Sequence, residues 1–178
     1  MLLLPVQSNT PHLVEALRNG SVDVAFVRPP LGDGEGLIVH PLVHESMRIV
    51  LPSKHSQARE RSVSLATLAH ETFILFPRAI GPGLHDSIIA SCQRAGFSPI
   101  LGQEAPQISS IVHLVEAGFG VSIVLHSIEQ IRANGIVYVR IKGEAPRAPI
   151  SLAVRKDNRS PVIRSFVALA RPRARAPD

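Results

Sequence analysis

The chain of 178 residues contains one cysteine, no tryptophan and one tyrosine. A lone Cys92 cannot form an internal disulfide or a cysteine-rich zinc site. No apolar run approaches the ~20 residues of a membrane-spanning helix. Residues 1–5 lack the basic and apolar regions of a signal peptide. These absences predict a cytoplasmic globular domain with no membrane partner.

Nucleic-acid binding by this chain itself is also disfavoured. Aromatic residues make up 4% of the sequence, too few for the stacking surfaces of single-strand binders. The formal net charge is +5, but residues 164–178 alone carry four arginines and one aspartate, which leaves the rest nearly neutral. The apolar fraction of 45% is enough for a core, and the length fits one domain or two small lobes.

Catalytic and metal-binding signatures are missing. The sequences that start at His44 and His70 begin like HExxH, but Arg48 and Ile74 replace the second histidine. No segment matches the serine nucleophile elbow, the phosphate-binding loop or the dinucleotide-binding GxGxxG after a strand. We therefore predict no catalytic residue, no metal and no cofactor. The histidines are interpreted as solvated or capping residues without a paired acid, and Cys92 as an inert core residue on an apolar helical stripe.

Helix and strand signals alternate along the chain. A helix with Thr10 as its N-cap, Pro11 in its first turn and Gly20 at its end opens the pattern. Further helices are predicted over 64–70 and 84–95 and from residues 106, 127 and 160, with Val162, Ile163, Phe166, Val167 and Leu169 facing the core. Strands are predicted over 22–27, 47–51, 72–76, 100–104, 121–125, 136–141 and 150–154. The alternation predicts an α/β fold with mostly parallel sheets, and the Pro- and Arg-rich tail is expected to fray.

The best candidate for ligand chemistry is the start of the first helix. Ser8, Asn9 and Thr10 supply two hydroxyls and an amide where a helix N-terminus offers a partial positive charge. Because Pro11 lacks an N–H group, the free donors for a small anion would be the backbone amides of the next two residues. The alternative is plain N-capping by Thr10. Arg28 and Arg78 each follow a strand, and either fits a carboxylate fork or a structural ion pair.

Seven segments in order resemble the effector-binding domain of LysR-type transcriptional regulators. They are LVEALRNGSVDVAFVR (13–28), IVLPSKH (49–55), LATLA (65–69), FILFP (73–77), CQRAGFSP (92–99), VEAGFGVSI (115–123) and ISLAVRK (150–156). Together they span nearly the whole chain.

The resemblance implies two Rossmann-like lobes of the type II periplasmic-binding-protein kind, joined by two crossover strands, with a small inducer in the cleft. Lobe I would comprise residues 1–75 and 148–178, and lobe II residues 76–147. The resemblance also strengthens the ligand-binding interpretation of Ser8, Asn9 and Thr10. On the opposing lobe it implies Phe76, Pro77, Arg78, Gly83 and Leu84.

The part of the sequence from Arg28 to Leu84 is most similar to regulators of aromatic-compound degradation, whose inducers are benzoate, muconate or similar carboxylates. The expected function is therefore sensing of an aromatic or dicarboxylic acid by a homo-oligomer, a dimer or a tetramer. The family's DNA-binding domain is not in this chain, and lobe I is expected to lack the first strand and helix. Two alternatives remain, a free-standing solute-binding protein and a small α/β enzyme such as a prephenate-dehydratase-like domain.

Overall fold

A computed structural model describes residues 4–32 and 34–171, so the tail predicted to fray lies largely outside the described residues. The helices are α1 (Thr10–Arg18), α2 (Pro82–Arg94), α3 (Ile108–Glu116) and α4 (Pro161–Ala170). The strands are β1 (Val24–Val27), β2 (Leu37–His44), β3 (Met47–Pro52), β4 (Ser62–Ser64), β5 (Thr72–Phe73), β6 (Ile100–Leu101), β7 (Ser122–Leu125), β8 (Ile136–Lys142) and β9 (Pro149–Arg155). Two short 3₁₀ helices cover Leu65–Leu68 and His126–Gln130.

The chain divides into two units whose bounds differ from those of the predicted lobes. The first unit comprises Met1–Glu45, Ala79–Gly83 and Pro149–Asp178, and the second comprises Ser46–Arg78 and Leu84–Ala148. Residues 46–75, expected in lobe I, thus belong to the second unit. The reason is that β3, which begins at Met47, pairs with β7 and β8 of that unit.

The first unit is built on a three-stranded sheet in the order β1-β9-β2. Helix α1 packs on it through Leu17, which is fully buried with Ala25, Val27 and Ala153. Burial of these apolar groups, at ~25 cal/mol per Å², stabilises this helix–sheet layer. The layer fixes the start of α1 next to the end of β1.

The second unit contains a four-stranded sheet in the order β4-β8-β3-β7 and a two-stranded sheet of β5 and β6. Helix α3 buries Ile111, Val112 and Val115 at the predicted helical spacing. Helix α2 buries Leu84, Ile88 and Cys92 in the same way, so the predicted core position of Cys92 is confirmed.

The expectation of mostly parallel sheets needs correction, since the sheets are mixed. Strand β9 runs antiparallel to β1 and β2, and β3 runs antiparallel to β7 and β8. Only β4–β8 and β5–β6 are parallel strand pairs among the described residues. The chain passes from one unit to the other after Glu45, between β2 and β3. Strand β2 then pairs antiparallel with β9, and β3 pairs antiparallel with β7 and β8, so neither sheet is mostly parallel.

Two local predictions also differ from the structure. No strand is predicted between residues 27 and 47, where the glycines at 32, 34 and 36 indicate a loop, yet residues 37–44 form β2. Helix α4 was expected to bury five apolar side chains, but none is buried, and Val162 and Leu169 are 49% and 64% exposed. Ile163, Phe166 and Val167 are half-buried.

Candidate ligand-binding site

The N-terminus of α1 is capped by Asn9 rather than by Thr10, so the predicted cap was off by one residue. Asn9 has extended backbone angles, and its side chain accepts a hydrogen bond from the His12 N–H at 3.0 Å. The Asn9 carbonyl oxygen accepts from the Leu13 N–H, also at 3.0 Å. The two amides predicted to be free for an anion are therefore occupied by Asn9.

The Thr10 hydroxyl links the start of α1 to the end of β1. Its oxygen accepts a hydrogen bond from the backbone N–H of Arg28 at 3.3 Å. Ser8 lies just before this contact and is exposed, while Asn9 and Thr10 are half-buried. The first unit thus brings Asn9, Thr10 and Arg28 together, although Arg28 is distant in sequence.

The Arg28 guanidinium is held by Glu45. Its Nη2 lies 2.7 Å from Glu45 Oε2, and the two side chains are 24% and 15% exposed. The sequence allowed two roles for Arg28, a carboxylate fork or a structural ion pair, and this contact is the structural ion pair.

Gly83 belongs to the first unit and lies against the residues that follow Arg28. A β-carbon at position 83 would lie 2.8 Å from the Pro29 carbonyl oxygen and 2.8 Å from Pro30 Cδ. Gly83 was expected on the lobe opposite Arg28, whereas the Ala79–Gly83 segment groups with Met1–Glu45. The close backbone packing on Pro29 explains this assignment.

Phe76, Pro77, Arg78 and Leu84 lie in the second unit. The Phe76 ring meets the His85 ring edge-on, with centroids 6.0 Å apart, and both side chains are buried. Leu84 is buried and Pro77 is half-buried. The buried aromatic pair fixes the segment before α2 against the first turn of that helix.

Arg78 forms a bidentate ion pair with Asp86. Its Nε and Nη2 atoms each donate to an Asp86 carboxylate oxygen at 2.7 Å. These hydrogen bonds hold the pKa of Asp86 below its ordinary value and raise the pKa of Arg78. Both side chains are about half-exposed or more, so solvent screens the pair and limits its contribution to stability.

The sequence interpretation missed three residues next to the candidate site: Glu45, His85 and Asp86. Glu45 lies 17 residues from Arg28, and no local pattern links the two. His85 and Asp86 follow Leu84 in α2, whereas Arg78 lies in the turn before that helix, so helical spacing does not link Arg78 to Asp86.

The structure places several histidines beside other charged groups. No group of three or more His, Cys, Asp or Glu side chains that could hold a metal occurs among residues 4–32 and 34–171. His55, predicted to lack a paired acid, instead has its Nε2 3.0 Å from Glu71 Oε1. Burial and the nearby Arg171 charge lower the pKa of His40.

Among residues 4–32 and 34–171, no helix is long and apolar enough to cross a membrane.

Comparison with known proteins gives a consistent family. A family model described as the LysR substrate binding domain matches residues 3–175. The regulator BudR of Raoultella terrigena is 30% identical over 165 residues, which are 93% of this chain and 57% of BudR. The regulator CatR of Pseudomonas putida is 32% identical over 163 residues, which are 92% of this chain and 56% of CatR. The chain spans about half the length of the curated relatives it matches.

Solved structures give the same fold. The BenM effector binding domain with its effector benzoate matches with a TM-score of 0.79 and 26% identity, over 92% of this chain and 74% of that one. Full-length CbnR complexed with its target DNA matches with a TM-score of 0.82 and 28% identity, over 94% of this chain and 59% of that one. These neighbours have the type II periplasmic-binding-protein-like fold, so the predicted α/β fold class is confirmed.

Proposed function

Since the chain belongs to the LysR substrate-binding domain family, we propose that it senses an aromatic or dicarboxylic acid on behalf of a transcriptional regulator. The domain is an effector-binding module rather than an enzyme, because its matching relatives are named as transcriptional regulators. The observation that carries the choice of effector is the match to the BenM domain that holds benzoate.

Asn9, Thr10 and Arg28 are the residues of the first unit that best suit a carboxylate. The Arg28 guanidinium supplies a fixed cation, and Glu45 orients it through the 2.7 Å contact. The Thr10 hydroxyl accepts from the Arg28 amide and keeps its own hydrogen available to donate to an anion. A charge-assisted hydrogen bond of this kind contributes about 1.5–3 kcal/mol. Ser8 and Gly83 complete this part of the proposed site.

We also propose Phe76, Pro77, Arg78 and Leu84, which lie in the second unit, as ligand-binding residues. Phe76 and Leu84 offer apolar surface that suits the ring or carbon chain of an organic acid. Arg78 gives two of its three guanidinium nitrogens to Asp86, so a ligand carboxylate would compete with Asp86 for them.

We further propose that the regulator acts in the cytoplasm as a homo-oligomer and contacts DNA outside this chain. The CbnR complex with target DNA supports DNA binding for a related full-length protein. Sedimentation of the purified chain at several concentrations tests self-association, and a concentration-independent monomer mass would contradict the oligomer for this chain.

Titration with organic acids tests the sensing function directly. Benzoate and muconate should raise the melting temperature, and at a hundred-fold excess over Kd a specific ligand adds about 2.7 kcal/mol of stability. Benzamide is the matched neutral control, because it keeps the ring and removes the charge. Stabilisation by benzamide equal to that by benzoate would contradict carboxylate recognition, and the absence of any shift across aromatic and dicarboxylic acids would contradict the effector class.

A further inference from the structure

Basic side chains lie side by side on one face of the four-stranded sheet in the second unit. The register places Arg48 of β3 opposite Arg140 of β8, and Arg140 opposite Ser62 of β4. Lys142 of β8 is opposite Ser64 of β4. Residues paired in register, and alternate residues along one strand, point to the same side of a sheet. Arg48, Ser62, Ser64, Arg140 and Lys142 therefore share one face, which we call the basic face.

Burial supports this assignment. Ile49, Val63 and Val139 alternate with the residues of the basic face and are buried, with 0%, 2% and 3% of their surfaces exposed. Arg140 and Lys142 are exposed. The apolar residues pack into the core on one side of the sheet, so the basic face is open to solvent around β8.

The charges on this face are unevenly compensated. Arg48 has its Nε 2.5 Å from Glu129 Oε1, and its Nη1 donates to the Met47 carbonyl oxygen at 3.1 Å. Arg140 has no such partner among the residues that the structure describes. It has one cation directly opposite and another, Lys142, two residues further along its own strand. Like charges directly opposite each other destabilise a sheet, and no described acid offsets this cost at Arg140.

Hydroxyl groups complete the basic face. The side-chain oxygens of Ser62 and Ser64 form no hydrogen bond with any described residue, whereas the Ser64 carbonyl oxygen accepts from the Thr67 hydroxyl at 2.7 Å. That contact anchors the backbone at the end of β4 and leaves the Ser64 side chain available. Two cations and two hydroxyl donors are thus arranged around β4 and β8.

From this juxtaposition we infer that the basic face binds a compact, doubly charged oxyanion, such as inorganic phosphate or the phosphate group of a small ester. Neighbouring strands are about 4.8 Å apart and alternate residues about 6.7 Å apart, so Arg140, Lys142, Ser62 and Ser64 bracket the area of one tetrahedral anion. The Arg140 guanidinium can fork onto two phosphate oxygens, and Lys142 acts as a point charge.

A single anionic group fits this face better than a nucleic-acid strand. A strand-binding surface needs a longer basic track and aromatic rings on which bases stack. The chain has one tyrosine, Tyr138, and its hydroxyl is committed to the Ile131 carbonyl oxygen at 2.8 Å. This anion site is in the second unit and shares no residue with the proposed effector site, so each proposal can fail without the other.

Calorimetric titration of the whole chain with inorganic phosphate, at constant ionic strength in sodium chloride, tests the inference. We expect saturable binding of one phosphate per chain. Arg140→Gln should weaken it at least tenfold, and Lys142→Gln at least threefold. The matched controls are Arg164→Gln and Lys156→Gln, which remove the same charges from exposed positions of the first unit and should leave the affinity within twofold.

Circular dichroism of each variant checks folding, and Ser64→Ala provides a variant with unchanged charge that should weaken binding about threefold. Absence of saturable phosphate binding overturns the inference, as does an equal loss of affinity in the first-unit controls. A short oligonucleotide that binds more tightly than phosphate, and loses that affinity in Arg140→Gln, would replace the small anion with a nucleic acid.

Discussion

The backbone of Gly83 packs so closely on Pro29 that a β-carbon at position 83 would lie 2.8 Å from the Pro29 carbonyl oxygen. Real β-carbons do not approach a backbone oxygen to this distance, so any side chain here forces the two segments apart. Gly83 stands in the first turn of α2, and Pro29 follows the strand that ends beside Arg28. The glycine therefore sets the distance between two loops of the proposed effector site.

Gly83→Ala should lower the free energy of unfolding by about 1–3 kcal/mol, because overpacking at a rigid contact costs more than the helix propensity of alanine restores. Urea denaturation measures the change. Gly34→Ala is the matched control, since a β-carbon there would meet only the Leu31 side chain at 3.9 Å. Equal stability of Gly83→Ala and the parent chain would show that the loops move apart at no cost.

Thr10→Val should raise the Kd for benzoate about 5- to 150-fold, which corresponds to the 1–3 kcal/mol cost of leaving a ligand group without its partner. Titration calorimetry gives the Kd. Thr67→Val is the control, because it removes a hydroxyl of the second unit that donates to the backbone of Ser64. If the two variants bind benzoate equally well, Thr10 is not part of the effector site.

Arg155 ties the end of α1 to the strand beneath it. Its Nη1 donates to the carbonyl oxygens of Leu17 at 2.8 Å and Val22 at 3.1 Å. Arg155→Met should lower the free energy of unfolding by about 2–3 kcal/mol through the loss of these charge-assisted bonds. Thermal and urea unfolding measure this, with the exposed Arg159→Met as the control. A loss no greater than that of the control would mean that water satisfies both carbonyls.

Burial raises the pKa of the Cys92 thiol from 9.0 to about 11. The unfolded chain therefore releases this proton first as the pH rises. The contribution of Cys92 to stability is complete below about pH 9 and declines by about 1–3 kcal/mol between pH 9 and 11. Cys92→Val keeps the apolar volume and should flatten this decline in urea denaturation curves. If the free energy of unfolding falls equally with pH in the parent chain and in Cys92→Val, burial does not raise the pKa of this thiol in the folded protein.

Sequence patterns located the four α-helices but missed strands β2 and β4 and made β5 and β6 too long. The proline after Thr10 and the proline after Ser160 mark the first turns of α1 and α4 in both the prediction and the structure. Strand β2 is not predicted because three glycines precede it, and Pro41 lies within it. In the structure β2 lies at the edge of its sheet, and its register shifts between Pro41 and Val43, which is how a strand accommodates a residue without an N–H group.

The candidate site was only partly predictable, because its contacts join residues that are distant in the sequence. Thr10 and Arg28 were each identified by their place at the end of an element, but their mutual hydrogen bond depends on how α1 packs on β1. The ion pair between Arg28 and Glu45 joins the end of β1 to the residue after β2, and periodicity carries no information about such contacts.

The sequence by itself determined the family, the α/β class, the buried stripes of α2 and α3, and the absence of known catalytic motifs, because these follow from residue type and local spacing. Only the tertiary structure decided that β9 runs antiparallel to β1 and β2 and that β3 runs antiparallel to β7 and β8. It also decided the boundary after Glu45, the Asn9 cap and the row of cations on β3 and β8. Strand direction and register depend on which distant segments share a sheet, and that is settled by the burial of whole faces rather than by neighbours along the chain.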